Sequence, residues 1–569
     1  MSEQLRPILS PRSIAVIGAS RTPGTIGHEV TWNLVRCGFT GAVYPVNPKA
    51  TSICSIPAYP DVEAIPGPVD QAVIVVPKEL VQGVVESCAR KGVGGLVVIS
   101  SGFREVGGEG VERERRLTEL VRGRGIRMVG PNCMGVLNSN PAVSMNGTFA
   151  PALPPHGKVG FVSQSGALGL SVLDYAREYG IGISQFVSVG NKPDVSGNDI
   201  LLAWEHDPDV EVILMYVENF GNPGRFLEIA GRITRRKPII VVKSGRSRAG
   251  ARAASSHTGA LAASDIAVGA LLAQAGVLRA ASVEELFDLA MAFSEQRPPR
   301  SRRVAVLTNA GGPGILAADA CEAHGLDLPD LAPETIAALA PLFPPEASIR
   351  NPLDMIASAT PKGYRAALGA LLRDPAVDAV LAIFVPPLGV TQEDVTLAIA
   401  SVAAEHADKT VLGVLMGHEG LPQGKATLHD AGIPAFIFPE SAARALGGLC
   451  RWKELSGRPA LSAEALTVDQ ETAQGLVTRA VAAGRARLAE DDALAFLSAY
   501  GIPVAQGTLT TTREEAAACA VRMGFPVVLK IVAAELVHKT EVGGVEVGLR
   551  DAGEVAAAFD RVVSRARAA

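Results

Sequence analysis

The segment from Lys243 to Ala262 places one histidine, His257, among residues that suit phosphoryl-group chemistry. Ser256, Thr258 and Gly259 flank it, and Ser255 is close by. These short residues leave room for a phosphoryl group and offer hydroxyl and backbone N–H donors to its oxygens. An imidazole is largely neutral at neutral pH, so one ring nitrogen can accept a phosphoryl group while an acceptor holds the N–H of the other. The pattern predicts that His257 is a nucleophile.

A carboxylate is the usual acceptor for the second ring N–H, and Glu218 is the candidate. It follows the apolar run Val212 to Val217, which is typical of a buried parallel strand, and it opens the glycine-containing turn 219–224. Ligands collect at the carboxyl ends of strands in open α/β sheets. The alternative interpretation is a surface histidine beside an unrelated acid.

A second anion site is predicted after the strand 158–162, where a turn leads into a helix that reaches Tyr179. Since a helix N-terminus binds anions, we expect phosphate contacts from the residues of this turn: Ser163, Gln164, Ser165 and Gly166. The turn lacks the flanking glycines of a G-x-S-x-G elbow, which disfavours a serine hydrolase. This turn, Glu218 and His257 all follow strands of one predicted sheet, so they can converge at one rim.

A glycine-rich turn near the N-terminus has the same strand, turn, helix form. The strand 13–17 is followed by Gly18, Gly24 and Gly27 and then by a helix to Cys37, which makes a weak prediction of a phosphate site. A dinucleotide-binding Rossmann site calls for an acidic residue after the next strand, but the strand 42–46 is followed by Asn47, Pro48 and Lys49. The lysine suits a nucleotide with an extra ribose phosphate, such as coenzyme A, and NADP remains an alternative.

The composition of the 569 residues excludes several classes of protein. Forty-eight per cent are hydrophobic and 20% are charged, and the net charge of −5 disfavours a nucleic-acid or acidic-membrane surface. The first six residues contain no apolar signal core, and proline or glycine interrupts the long apolar runs, so we predict a cytoplasmic protein. The seven scattered cysteines include no CxxC pair and indicate neither a disulfide framework nor a zinc site.

The order of apolar runs and helical patterns predicts an α/β protein of three consecutive doubly wound domains. The proline-rich stretch 151–156 and the basic stretch 297–303 mark boundaries between them. Within the third domain, Asn351 to Asp354 is interpreted as a turn without chemistry. From Trp452 to about Leu488 the pattern favours a tether with helical segments, and a smaller unit follows.

Five motifs, taken in order, resemble the NDP-forming acyl-CoA synthetases, the fused relatives of succinyl-CoA synthetase and of ADP-forming acetyl-CoA synthetase. The motifs are Gly130-Pro131-Asn132-Cys133, Ser163-Gln164-Ser165-Gly166, Ser256-His257-Thr258-Gly259, Asn309-Ala310-Gly311-Gly312-Pro313-Gly314 and His538-Lys539-Thr540-Glu541-Val542-Gly543-Gly544. The resemblance implies a Rossmann-like CoA-binding domain (1–150), a phosphohistidine-bearing domain like that of succinyl-CoA synthetase (151–297) and a second such, flavodoxin-like domain (298–453). A linker (454–486) and the first part of an ATP-grasp domain (487–569) would follow.

The resemblance also implies roles for individual residues. His257 matches the phosphorylated histidine of the family, Glu218 matches the carboxylate that steadies it, and His538 lies in a loop whose histidine relays phosphate. Lys530 matches a nucleotide-binding lysine. Coenzyme A contacts are expected from Gly18, Ser20, Arg21, Thr22, Gly24, Lys49, Ile99, Ser100, Ser101 and Asn132.

The implied reaction joins a small carboxylic acid to coenzyme A and converts ATP to ADP and phosphate. ATP would phosphorylate His257, the acid would take the phosphoryl group to form an acyl phosphate, and the coenzyme A thiol would displace phosphate. The family's later acidic residues that hold Mg²⁺ have no match here, so we expect the Mg²⁺ ligands outside this chain and expect the chain alone to be incompetent for ATP turnover. Either a longer protein or an associated chain would supply the rest, and a homo-oligomer is also expected.

Two other functions remain open at this point: a non-catalytic CoA- or acyl-CoA-binding module, and an NADP-dependent oxidoreductase. The acid is not identified by the sequence, because discrimination between acyl chains depends on the shape of a pocket.

Overall fold

In a computed structural model of the chain, a five-stranded parallel sheet is built around the fully buried strand Ser13–Ile17. The structure describes residues 3–151, 153–247, 249–250, 252, 265–357, 359–387, 389–417, 424–459, 468–533 and 539–568. The sheet order is β2-β1-β5-β6-β7, and helices cover both faces, which is why its strands are continuous apolar runs. The elements of this part are α1 (Arg6–Leu9), β1 (Ser13–Ile17), α2 (Ile26–Arg36), β2 (Ala42–Val46), β3 (Ser52–Ile53), β4 (Ile56–Pro57), β5 (Gln71–Ile74), α3 (Lys78–Lys91), β6 (Gly95–Val98), α4 (Glu109–Gly123) and β7 (Arg127–Val129).

The second sheet has seven strands in the order β14-β13-β12-β10-β11-β8-β9. Its elements are β8 (Gly135–Asn138), β9 (Met145–Thr148), β10 (Val159–Ser163), α5 (Gly166–Glu178), β11 (Ile183–Ser188), α6 (Gly197–Trp204), β12 (Val212–Val217), α7 (Pro223–Ile233), β13 (Ile239–Lys243), α8 (Asp265–Gln274), β14 (Leu278–Ala280) and α9 (Val283–Glu295). The strands β10 to β13 are parallel, as predicted, and β14 extends the sheet as a further parallel strand that was not predicted. The carboxyl ends of β10, β12 and β13 lie side by side.

The antiparallel strands β8 and β9 were not predicted, because they are short and carry buried polar residues. β8 pairs with β11 and β9 pairs with β8. The buried Asn146 accepts hydrogen bonds at Oδ1 from both the N–H and the hydroxyl of Thr148, and Asn33 on α2 donates to the carbonyls of Thr148 and Ala150 at 2.8 Å each. The polar side chains of β9 therefore bond locally, and a distant helix satisfies two backbone carbonyls at the end of the strand.

The third sheet is parallel, in the order β16-β15-β17-β18-β19. Its elements are β15 (Val304–Thr308), α10 (Gly311–Ala323), α11 (Pro333–Leu339), β16 (Leu353–Asp354), α12 (Pro361–Arg373), β17 (Ala379–Phe384), α13 (Gln392–Glu405), β18 (Thr410–Leu415), α14 (Lys425–Asp430), β19 (Ala435–Phe436) and α15 (Pro439–Ser456). The interpretation of residues 351–354 as a simple turn is wrong. Leu353 is buried and pairs with β15 as an edge strand, and the Asn351 side chain bonds to the backbone of Val304 and Val306.

The second and third sheets share a hydrophobic core, which includes Phe186, Phe287 and Phe436. The helix α15 continues this core past Trp452, whose ring meets Phe293 edge-on at a centroid distance of 5.7 Å. The indole N–H of Trp452 also donates to the carbonyl of Thr234 at 2.9 Å. The expectation that a tether begins at Trp452 is therefore wrong, since this residue packs into the folded part of the chain.

The chain divides into two units, Met1–Arg458 and Pro459–Ala569. The second contains α16 (Gln470–Ala482), α17 (Glu490–Ala499), α18 (Arg513–Met523), β20 (Val527–Lys530), β21 (Val545–Leu549) and α19 (Ala552–Ala568). β20 and β21 are antiparallel, and the helices α18 and α19 share a small core with them that includes Ala516, Leu549 and Val555. Among the described helices of both units, none has the length and apolar character needed to span a bilayer.

Candidate active site

The turn that carries Glu218 is held in place by the side chain of Gln164. The Gln164 Oε1 atom accepts hydrogen bonds from the backbone N–H of Glu218 at 2.5 Å and of Asn219 at 3.0 Å, and its Nε2 donates to the carbonyl of Asn219 at 2.6 Å. Sequence reasoning assigned Gln164 to phosphate binding. In the structure the side-chain amide of Gln164 joins the turn after β10 to the turn after β12 and holds the backbone of Glu218. Its contact with phosphate stays a prediction.

Of the two serines in the turn after β10, Ser163 has its hydroxyl proton engaged within the turn, whereas Ser165 uses its hydroxyl as an acceptor. The Ser163 hydroxyl is buried and donates to the carbonyl of Ser165 at 2.8 Å, and the Ser165 hydroxyl caps α5 by accepting from the N–H of Leu168 at 3.3 Å. The N–H groups of the first turn of α5, from Gly166 onward, have no carbonyl partner within the helix. An anion at this helix end would meet these N–H groups and the positive end of the helix dipole.

Glu218 and Gln164 line a polar cavity of about 520 Å³, which also contains Asn132, Asn191 and Lys192. Lys192 was missed in the sequence, although it lies in a turn after β11 of the kind that was used to choose Glu218. Its backbone has a positive φ of 52°, and its ammonium group donates to the carbonyl of Asn219. Burial lowers the Lys192 pKa to about 8, while the charge of Glu218 acts in the opposite direction. The cavity thus holds a cation that burial makes readier to release its proton.

Asn191 and Asn132 connect this cavity to the first sheet. The Asn191 Nδ2 atom donates to Glu105 at 2.6 Å and to Glu114 at 2.8 Å, and the Asn132 amide donates to Asn191 Oδ1 at 3.3 Å. Burial opposes ionisation of Glu105, but the hydrogen bonds from Asn191 and from the backbone N–H of Gly102 lower its pKa overall. The backbone N–H of Asn132 donates to the carbonyl of Ser100 at 3.0 Å, so the turns after β6 and β7 lie together at this edge.

The predicted coenzyme A turn is closed tightly at Gly18. This residue has a φ of +92°, and a Cβ atom there would lie 2.2 Å from the carbonyl oxygen of Val75. The side chain of Asn47 donates to the carbonyl of Ala19 at 2.7 Å and accepts from the backbone N–H of Lys49 at 2.8 Å. The turn after β2 is thereby attached to the turn after β1, on which the Ser20 hydroxyl accepts from the N–H of Thr22 at 3.1 Å.

Some of the predicted coenzyme A residues are exposed on the joined turns, whereas others are buried or already hydrogen-bonded within the protein. Arg21, Thr22, Gly24 and Lys49 are exposed on the joined turns. The N–H of Gly24 donates to Glu29 Oε1 at 2.9 Å, and this bond lowers the Glu29 pKa. At the neighbouring strand Ile99 is buried, the Ser100 hydroxyl donates to the carbonyl of Val76 at 2.6 Å, and Ser101 is exposed. A phosphate at this edge would find Arg21 and Lys49 accessible.

The predicted nucleophile lies outside the described residues, as do its neighbours Ser256, Thr258 and Gly259 and the second histidine, His538. The strand that precedes them in the chain is β13, and its carboxyl end lies beside the carboxyl end of β12, which Glu218 follows. In the second unit, Lys530 Nζ is bonded to Glu490 Oε1 at 2.9 Å, and Lys539 bonds to the other oxygen of the same carboxylate. The described residues contain no group of three or more His, Cys, Asp or Glu side chains that could hold a metal ion.

Four protein-family models match the chain, in the order of its sheets. They are a CoA binding domain (residues 12–139), a succinyl-CoA ligase like flavodoxin domain (156–293), a Ligase-CoA domain (304–459) and an ATP-grasp domain (479–569). A curated relative, acetate–CoA ligase [ADP-forming] I of Archaeoglobus fulgidus, is 40% identical over 555 residues, which are 97% of this chain and 79% of that protein.

The chain belongs to the ADP-forming acid–CoA ligase family. A further relative is the alpha subunit of acetate–CoA ligase [ADP-forming] II of Pyrococcus furiosus, 41% identical over 77% of this chain and 95% of that subunit. Among solved structures, the dinucleotide-forming acetyl-coenzyme A synthetase 1 of Ca. Korarchaeum cryptofilum, in complex with phosphate and ADP, superposes with a TM-score of 0.75 and is 38% identical, covering 80% of this chain and 98% of that chain. Acid–CoA ligases of this family thus occur both as single fused chains and as separate subunits.

Proposed function

We propose that this acid–CoA ligase uses His257 as a phosphoryl carrier between ATP and a short carboxylic acid, with Glu218 as the carboxylate that orients the imidazole. The acids named in its relatives include acetate, and we take a short carboxylate of this class as the substrate. The observation that supports the proposal is the anchored turn at Glu218: its backbone is bonded to Gln164, just before α5, and β12, which it follows, pairs with β13, the strand that precedes His257 in the chain.

The proposed reaction has three steps, and in each of them one bond forms as another breaks. One imidazole nitrogen of His257 attacks the γ-phosphorus of ATP, forming an N–P bond as the bond to ADP breaks. A carboxylate oxygen of the acid then attacks the phosphorus, the N–P bond breaks, and an acyl phosphate forms. The thiol of coenzyme A releases its proton to solvent, its sulfur attacks the acyl carbon, and the C–O bond breaks so that inorganic phosphate leaves. Each step replaces one high-energy bond by another, which divides one difficult reaction into easier ones.

In this proposal, residues of the chain orient the imidazole of His257 and stabilise the charges of the reacting groups. The Glu218 carboxylate accepts the N–H of the second imidazole nitrogen, which fixes the tautomer and stabilises the positive charge that the ring gains. The N–H groups at the start of α5 and the ammonium of Lys192 would stabilise the negative charge of a phosphate group bound in the polar cavity. Mg²⁺ would neutralise phosphate charge in the nucleotide steps, and since the described residues offer no cluster of ligands, we assign it none here.

Coenzyme A is proposed to bind at the joined turns after β1 and β2, with Arg21 and Lys49 on its phosphates. Asn132, Ser100 and Ser101 lie at one edge of the first sheet, and the bond from Asn132 to Asn191 connects this edge to the polar cavity. This arrangement would let the pantetheine arm extend from the first sheet towards Glu218. Lys530 is proposed to contact a nucleotide phosphate, for which it must leave Glu490.

The oligomeric state is a further part of the proposal. We expect a homo-oligomer or an association with a chain that supplies remaining ATP-grasp residues, because relatives occur in fused and in subunit form. Light scattering of the purified protein, alone and with candidate partner chains, measures this directly.

The phosphoryl-carrier proposal is tested by incubating the protein with ³²P-labelled acetyl phosphate and measuring acid-labile, base-stable protein phosphate. Acetyl phosphate reaches the histidine without ATP, so the result does not depend on the nucleotide steps. We expect label on the wild type, no label on His257→Ala, and at least 100-fold slower labelling of Glu218→Gln, which retains the size of the side chain and loses its charge.

The matched control is Glu211→Gln, an exposed carboxylate next to the same strand, β12, whose ion pair with Lys158 lies at the opposite end. It should label at the wild-type rate. Absence of label on the wild type, while coenzyme A still binds, would favour the non-catalytic CoA-binding module. Binding of NADP in place of coenzyme A would favour the oxidoreductase.

A further inference from the structure

A second cavity, of about 460 Å³, lies between the helices of the second sheet and the edge of the third. Residues from α5 and α9 form one wall, and β19, α14 and α15 form the other. It shares no lining residue with the polar cavity around Glu218, and the acid–CoA ligase chemistry proposed above does not use it.

One wall of this cavity is a surface of aromatic rings. Tyr175 and Tyr179 stack with their centroids 4.0 Å apart and their planes 18° apart, and Phe287 lies against Tyr175 at 5.0 Å. Val172 and Met291 extend the apolar surface. A flat apolar group could pack against these rings, because aromatic pairs favour offset or tilted contact at such distances.

The opposite wall contributes a buried cation, Lys425. Its Nζ atom is enclosed and has no hydrogen-bond acceptor in the described part of the chain. It lies 4.5 Å from the centroid of the Tyr179 ring, a cation–π contact that compensates only part of the lost hydration. Burial lowers the Lys425 pKa to about 8, and the charges of Glu295 and Glu178 oppose this shift. A bound anion would supply the missing acceptor.

The acidic residues of the cavity limit how much negative charge it can accept. Asp288 is bonded to Arg444 at 2.5 Å, and Glu284 lies 3.6 Å from the same guanidinium group. Arg444 therefore lies near two carboxylates, those of Asp288 and Glu284, which leaves Lys425 as the cation that can pair with a ligand. A ligand with one negative charge fits this balance, and a phosphate ester with two would be repelled by the acidic side.

We propose that this cavity binds an aromatic monocarboxylate, whose carboxylate pairs with Lys425 and whose ring packs against Tyr175, Tyr179 and Phe287. Because the walls come from elements of both sheets, a bound acid would also join the second sheet to the third and raise the melting temperature. This cavity shares no lining residue with the polar cavity around Glu218, to which the reaction is assigned above, so the acid bound here is proposed to be distinct from the acid that is activated.

The experiment uses the whole chain and benzoate as the probe, followed by isothermal titration calorimetry and by the thermal shift. We expect benzoate to bind the wild type and benzyl alcohol, which has the ring without the charge, to bind at least tenfold more weakly. Lys425→Met should weaken benzoate binding at least tenfold. The matched control is Lys192→Met, which removes the other ammonium group with a pKa of about 8 and should leave benzoate binding within twofold.

Three outcomes would overturn the proposal. Equal affinity of wild type and Lys425→Met for benzoate removes Lys425 as the anion partner, and a loss only in Lys192→Met assigns benzoate to the polar cavity. If Lys425→Met does not fold, methyl-¹³C-methionine spectra of the wild type decide the question. Benzoate should shift the Met291 resonance, and an unchanged Met291 resonance at saturation rejects the site.

Discussion

The replacement of Gln164 by methionine tests whether the position of Glu218 is set by its neighbour. The side chain of Gln164 makes three hydrogen bonds to the backbone of residues 218 and 219, at 2.5, 3.0 and 2.6 Å. Methionine has a similar length and makes none of them. At roughly 1 kcal/mol for each bond, the turn would lose about 3 kcal/mol of preference for its observed conformation, which corresponds to about a 100-fold change in population.

The assay is the initial rate of labelling by ³²P-acetyl phosphate, measured beside the free energy of unfolding in urea. We expect Gln164→Met to label at least 30-fold more slowly, because Glu218 would no longer be held where His257 needs it. The control is Gln185→Met on β11, whose amide accepts from the Trp204 indole at 2.8 Å and donates to Asp207 at 3.0 Å. This control should lose stability and retain the labelling rate.

The reasoning would be refuted if Gln164→Met labelled within threefold of the wild type. It would be refuted equally if Gln185→Met lost as much labelling while still folded, since the effect would then follow general stability. Restoration of the rate by a lower temperature in Gln185→Met, and not in Gln164→Met, would separate the two causes further.

Three other predictions concern the first sheet, the polar cavity and α15. Gly18→Ala should weaken coenzyme A binding at least tenfold and lower the melting temperature, because its methyl carbon would lie 2.2 Å from the carbonyl oxygen of Val75. The control Gly83→Ala, in open space on α3, should keep the affinity and hold or raise the melting temperature. Calorimetry measures the affinity and the melting temperature. The pKa of Lys192 is lowered in the folded state to about 8 from an ordinary 10.5, so the unfolded chain holds this proton more tightly between these values and stability rises with pH there, by up to about 1.4 kcal/mol per pH unit. Lys425 has a similarly lowered pKa, so Lys192→Met should reduce, and not abolish, the slope obtained from urea midpoints at about pH 7.5 and pH 9.5. An unchanged slope would contradict the burial of the Lys192 ammonium. Trp452→Ala should lower the free energy of unfolding of the first unit by about 2–4 kcal/mol in urea, whereas a change below about 0.5 kcal/mol is the result expected of a tether residue.

Much of the fold follows from local sequence because strands buried on both faces must be continuously apolar. The runs 13–17, 42–46, 158–162 and 212–217 allowed strands to be predicted at or within one residue of their observed ends. A strand end in a parallel sheet is also where polar turns collect, and Glu218 was chosen on that ground. A glycine-rich turn after the strand 13–17 was also predicted, and the structure shows that Gly18 has a backbone conformation and surroundings that exclude a side chain.

Only the tertiary structure decided which residues that are distant in the chain come into contact. The amide of Gln164 meets a turn 54 residues later, Asn33 completes the hydrogen bonds of a strand 115 residues later, and Lys425 meets Tyr179 across two sheets. A local pattern assigned Gln164 to a phosphate and left Lys192 and Lys425 without a role. Apolar periodicity is a property of neighbouring residues, whereas the partner of a buried polar group depends on which distant segment the packed core brings to it.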